Sequence, residues 1–114
     1  MKKVLWFSRH ELTAEQKTGL AHVLHVRENE LSVRVLDKTI CNAEEIIAEI
    51  EGEELVAAVL PVRLLSELMR ILPAGVTVAV PRNRKTRDAF GAYAFVYDGW
   101  DVVRRCVYET DTVM

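Results

Sequence analysis

The sequence predicts an α/β fold: a four-stranded parallel sheet core with helices on both faces and an antiparallel hairpin at the C-terminal end. Three observations predict it. Four short apolar runs alternate with three amphipathic stretches between residues 3 and 81. One run, ELVAAVLPV (54–62), is apolar without a break, as a central strand covered on both faces requires. Beyond residue 88 the alternation stops. AYAFVY and WDVVRRCVYE then flank Asp98-Gly99, a dipeptide suited to a type I′ turn because both central residues need positive φ.

The elements follow in order. KVLWF (3–7) is a buried strand ending at polar residues. Thr13 and Gln16 form a capping box, so a helix starts there and runs to about Val26, with Leu20, Val23 and Leu24 on its inner face. LSVRVL (31–36) alternates apolar and polar, which suits a strand with one wetter face near a sheet edge. Asn42 with Glu45 repeats the capping-box spacing; Ile46, Ile47 and Ile50 supply the stripe of a second helix that Gly52 ends. Leu64, Leu65, Leu68, Met69 and Leu72 mark a third helix closed by Pro73 and Gly75, and VTVAVP (76–81) is the fourth strand. This β-α-β-α-β-α-β order is that of a three-layer Rossmann-like domain. The wetter second strand favours the order 2-1-3-4 over 3-2-1-4.

A chain of 114 residues holds one domain, 1–114, with a single core. No stretch reaches the ~18–20 apolar residues of a membrane span, and the apolar run after the two N-terminal lysines is too short for an export signal, so a cytoplasmic location is expected. Cys41 and Cys106 are too few and too distant for a disulfide framework or a zinc cluster. His22 and His25 stand at i, i+3 without an accompanying carboxylate or thiol cluster, and read as surface or core histidines. No cofactor is called for. A net charge of −2 argues against general DNA binding, so an anionic ligand has to be met by a local patch.

In open parallel sheets, ligands bind beyond the carboxyl ends of the strands. Three junctions converge there: Ser8-Arg9-His10 after the first strand, Pro61-Val62-Arg63 after the third, and PRNRKTR after the fourth. The last carries Arg82, Arg84, Lys85 and Arg87, four cations in six residues, with Thr86 as a neutral donor. At about 4.8 Å between neighbouring strands, the first and fourth junctions should lie about 10–15 Å apart, the reach of a dinucleotide step. Arginine forks donate two parallel hydrogen bonds and suit phosphate. A solvated basic loop and a structural His10 would leave the same trace. Trp6 reads as core; Trp100 and the period-two row Tyr93, Phe95, Tyr97 read as a possible contact surface.

SRHELT resembles the first-strand Arg-His-Gly-x-Thr of histidine phosphatases, but Glu11 stands where their glycine belongs and no histidine follows His25. FSRHELTAEQ more closely resembles the opening of small single-domain CRISPR-associated proteins with a Rossmann-like fold, ring nucleases among them; the likeness covers residues 3–16. It implies a cyclic oligoadenylate as ligand, and antiviral defence as the setting. The implied activity is metal-independent cleavage by a ribose 2′-hydroxyl held in line with the phosphodiester. On that reading Arg82, Arg84, Lys85, Thr86 and Arg87 neutralise phosphate, Ser8 and Arg9 position the ring, and His10, assisted by Ser8, moves the proton. A symmetric ring asks for a homodimer. The alternatives are a non-catalytic nucleotide-binding module holding some other phosphorylated small molecule, or an accessory interaction protein.

Overall fold

Strand β1 (Lys2–Phe7) leads into α1 (Ala14–Val23), β2 (Leu31–Leu36), α2 (Ala43–Glu49), β3 (Leu55–Ala58), α3 (Val62–Ile71), β4 (Thr77–Arg87) and β5 (Tyr93–Val103), in a computed structural model that describes residues 1–113. The sheet has five strands, not four, in the order β2-β1-β3-β4-β5. Strands β1 to β4 are parallel and β5 returns antiparallel to β4. The order 2-1-3-4 is the one favoured from sequence, and β5 extends it by one edge strand.

Two apolar clusters hold the layers together. On one face, Leu20 of α1 packs with Val4 and Trp6 of β1, Leu55 and Ala57 of β3, and Ala79 of β4. On the other, Ala43 and Ile46 of α2 and Leu68 of α3 pack on Val56 and Val78. All four residues of β3 are buried, which explains their unbroken apolar run. Helix α1 starts as expected: the Thr13 hydroxyl accepts from Gln16 N and the Gln16 side chain accepts from Thr13 N. It ends earlier, at Val23, because His25 turns into the left-handed region at φ 57°. The i, i+3 histidine spacing therefore never forms on one helix. Asn42 caps α2, but the Glu45 carboxylate accepts from Cys41 N, one residue before the cap.

Two readings of the C-terminal third are corrected. The stretch 82–87 is not a loop after the fourth strand; it is the second half of β4, paired residue by residue with β5. Nor do Asp98 and Gly99 form the hairpin turn. They lie inside β5, where two residues oppose the single residue Arg82 and make a bulge, with Gly99 at φ 107°. The turn is the segment 88–92, where the Asp88 carboxylate accepts from Phe90 N and Ala92 N and Gly91 takes φ 81°. No helix among the described residues is long and apolar enough to cross a membrane.

Candidate functional site

The first junction is fixed from inside the core. Trp6 is almost fully buried, and its indole N–H finds its acceptor at His10 O, 2.8 Å away. Ser8 N continues the ladder to Leu36 O, and the Ser8 hydroxyl accepts from His10 N at 3.1 Å. With Thr13 capping α1 three residues on, the whole turn is held at both ends. It presents Arg9 and His10 to solvent, and neither side chain has a hydrogen-bond or ionic partner among the described residues.

The other half rises from the same end of the sheet. Phe7 pairs with Ala58, and Ala57 with Ala79, so Val80 stands level with the end of β1. Strand β4 then continues seven residues further with only β5 beside it. At about 3.4 Å per residue, Lys85 and Arg87 stand about 17 and 24 Å beyond that level. The expected 10–15 Å spacing from the Ser8-Arg9-His10 turn therefore applies only to Arg82. That residue is already occupied: its guanidinium donates to Asp98 O at 3.0 and 3.2 Å and faces the carboxylates of Asp98 and Asp101 at 3.8 and 3.6 Å. Arg82 holds the bulge.

Strand alternation divides the remaining cations. Val78 belongs to the cluster under α2 and α3 and Ala79 to the one under α1, so even-numbered residues of β4 face the first side and odd-numbered ones the second. Arg84 and Thr86 share the side of Arg82. Lys85 and Arg87 lie on the α1 side, the side from which the Trp6 indole reaches the His10 carbonyl. Opposite them in register are Phe95 and Tyr93, and opposite Asn83 is Tyr97. The three pairs make a ribbon face of alternating polar and aromatic side chains.

That face is a set of contacts rather than a loose row. The Lys85 ammonium sits 4.1 Å from the centroid of the Tyr93 ring and the Arg87 guanidinium 4.7 Å from it, while Arg87 also donates to the Tyr93 hydroxyl. Exposed cation–π pairs are worth about 0.5–1 kcal/mol, less than the ~1–3 kcal/mol of a base stacking on an aromatic ring. Two such pairs and the Arg87–Tyr93 hydrogen bond together are comparable to one stacked base, so a flat ligand would compete with the cations for the ring. Nearer the sheet the aromatics turn inward. Tyr97 and Trp100 lie over Gly19 of α1, Trp100 meets Trp6 edge-on at 5.7 Å, and its indole N–H donates to Gln16 O at 3.0 Å. Trp100 is thus part of the packing, not a free contact residue. Burial, and then the nearby charge of Glu15, push the Tyr97 hydroxyl above its ordinary pKa, so it stays a neutral donor.

The third junction stands apart. Pro61 caps α3, and Arg63 faces Glu67 at 3.8 Å beside a cavity of about 480 Å³ lined also by Ile40, Cys41 and Asn42, on the α2 and α3 side. The structure thus puts Ser8, Arg9 and His10 at the end of β1, Lys85 and Arg87 about 17 and 24 Å farther out on the α1-side face of the hairpin, and Arg82, Arg84 and Thr86 on its opposite face. The pairing of Lys85 with Phe95 and of Arg87 with Tyr93 was hidden in the sequence by the misplaced turn; the signal for it was Asp88 followed three residues later by Gly91. Comparison of the chain with family models, with curated proteins and with solved structures returns no match.

Proposed function

We propose that this protein binds a phosphate-rich nucleotide at the carboxyl pole of its sheet, on the α1 side. A cyclic oligoadenylate is the ligand that the opening residues 3–16 resemble a partner for. The observation that carries the reading is the presence, beyond the same end of the sheet, of two features with no carboxylate partner among the described residues: the rigid turn presenting Arg9 and His10, and the hairpin arm presenting Lys85 and Arg87. In a chain of net charge −2, none of these four side chains has a carboxylate partner among the described residues.

The proposed reaction is ring opening without a metal. A ribose 2′-hydroxyl attacks the adjacent phosphorus, its proton passes to His10, and the P–O5′ bond breaks as the 5′ oxygen takes a proton from water, after which the His10 imidazolium returns its proton to solvent. The products are a 2′,3′-cyclic phosphate and a free 5′-hydroxyl. Arg9 would offset the added charge on the phosphorane. Two copies across a two-fold axis would match the symmetry of the ring.

The test is incubation with cyclic tetra- and hexa-adenylate in EDTA, at enzyme excess, with chromatography of the products. Linear 2′,3′-cyclic-phosphate fragments, lost in His10→Ala with binding retained, are the expected result. A thermal shift with intact rings would leave binding and remove catalysis, since a ligand specific to the folded state raises stability by RT ln(1 + [L]/Kd). Intact rings and no shift would remove the reading altogether.

A further inference from the structure

We infer that the distal half of the β4–β5 hairpin, on its α1-side face, is a stacking surface for the bases of a single-stranded oligonucleotide. Tyr93 is 60% and Phe95 74% exposed, although large aromatic rings on a two-stranded arm have no core to reach and bring only aggregation risk. Both rings lie on the face that also carries Lys85 and Arg87, and the registered pairs Asn83–Tyr97, Lys85–Phe95 and Arg87–Tyr93 contain no carboxylate. The nearby acids are engaged elsewhere: Asp98 and Asp101 face Arg82, and Asp88 caps the turn.

The charge and the chemistry together select the occupant. Cations interleaved with exposed rings suit a polyanion that also offers flat π surfaces, and a single strand does so while a duplex hides its base faces. The spacing agrees. Residues two apart on one strand stand about 6.8 Å apart, twice the ~3.4 Å separation of stacked bases, so one base fits between the Tyr93 and Phe95 rings. Displaced from Tyr93, the Lys85 and Arg87 heads then reach the flanking phosphates.

This inference does not rest on ring opening, which concerns Arg9 and His10 at the foot of the hairpin. The test is fluorescence anisotropy with labelled rA12 and dT12 over a range of salt, with inorganic polyphosphate, the matching duplex and phosphatidylserine vesicles as competitors. Single strands should bind and outcompete all three. Tyr93→Ala and Phe95→Ala should each weaken binding about tenfold without changing the salt slope. Lys85→Gln should lower that slope by about 0.7. Val96→Ala, in the same strand on the opposite face, should change neither. All four side chains lie on the arm outside the core, and circular dichroism of each variant checks folding. Unchanged affinity in the two aromatic variants would overturn the proposal. So would polyphosphate, duplex or vesicles competing as well as the single strand, or a Phe95→Ala effect confined to oligomeric state in sedimentation.

Discussion

Gly19 sits where α1 passes under the foot of the hairpin, and its missing side chain is what lets the two meet. A Cβ there would stand 2.7 Å from Trp100 Cδ1 and would collide with the Tyr97 hydroxyl. The tyrosine can swing away, but the indole cannot. It is wedged edge-on against Trp6 and tied through its N–H to Gln16 O. Gly19→Ala gains about 1 kcal/mol of helix propensity, and overpacking costs about 1–3 kcal/mol. The crowded neighbour here is a fixed ring, so the overpacking end of that range applies and the net effect is a loss of about 1–2 kcal/mol. Differential scanning calorimetry should show Tm falling on the order of 5 °C; a rise would mean that Trp100 is free to move. Nothing in the residues around Gly19 announced this contact, because it joins positions 81 residues apart through a ring that reads in the sequence as part of a contact surface. Trp6 was legible as core because it lies within an apolar run, whereas Trp100 follows the glycine of a bulge.

Among the elements, the strand-and-helix frame up to β4 was legible because each piece carries its own local signal. Thr13 and Gln16 start α1, Asn42 starts α2, and the unbroken LVAA of β3 marks the centre of the sheet. An antiparallel hairpin at the C-terminal end was legible too, but its register and turn were not, for an opposite reason. Its outer half has no core to face, so Arg82 through Arg87 show no apolar alternation and look like a loop, while Asp98-Gly99 imitates a turn and is a bulge. Cross-strand pairing, a non-local property, decides both. At the other edge of the sheet β2 is joined to the connection between α2 and β3 by Arg34, which donates to Glu53 Oε1 at 2.7 Å and to Glu49 O. Glu53 is buried, and burial by itself would raise its pKa. The hydrogen bonds from Arg34 and Glu51 N and the charges of Arg34 and Lys3 outweigh that and hold it below the ordinary 4.5. Its contribution is therefore complete above pH 4.5 and is lost as pH falls through the lowered value. Urea midpoints should drop between pH 6 and pH 3 in the wild type and drop less in Glu53→Gln; parallel profiles would refute the linkage. Arg34→Ala at neutral pH should cost about 2–3 kcal/mol, below the ~3–5 of a fully buried pair because Arg34 still reaches water.

At the scale of the whole molecule, shape and stability divide along the same line. A chain of this length packed as a sphere-like domain has a radius of gyration of about 13 Å, and this one measures 15.5 Å. Two segments contribute to the excess: the hairpin, whose distal half leaves the sheet with one partner strand and no layer above or below it, and residues 104–113, which follow β5 mostly exposed and outside any strand or helix. Opening it exposes little apolar surface, because Tyr93, Phe95 and Phe90 are already in solvent, and isolated two-stranded hairpins are marginal at best. The parallel core is different. Val4, Leu5, Leu55, Val56 and Val78 are fully buried between two helical layers, so their amides can exchange only when both layers come off. Native-state hydrogen exchange should therefore resolve two classes. Amides of β1 and β3 should exchange with the free energy of global unfolding and follow urea with the full slope. Amides of residues 84–96 should exchange by local opening, at least ~3 kcal/mol more easily and with almost no dependence on urea. Saturating rA12 should slow the second class and leave the slope of the first unchanged if the hairpin binds single strands as an ordered ribbon. One common free energy for all of these amides would instead make the arm an integral part of the core, and its exposed rings would then need a structural explanation.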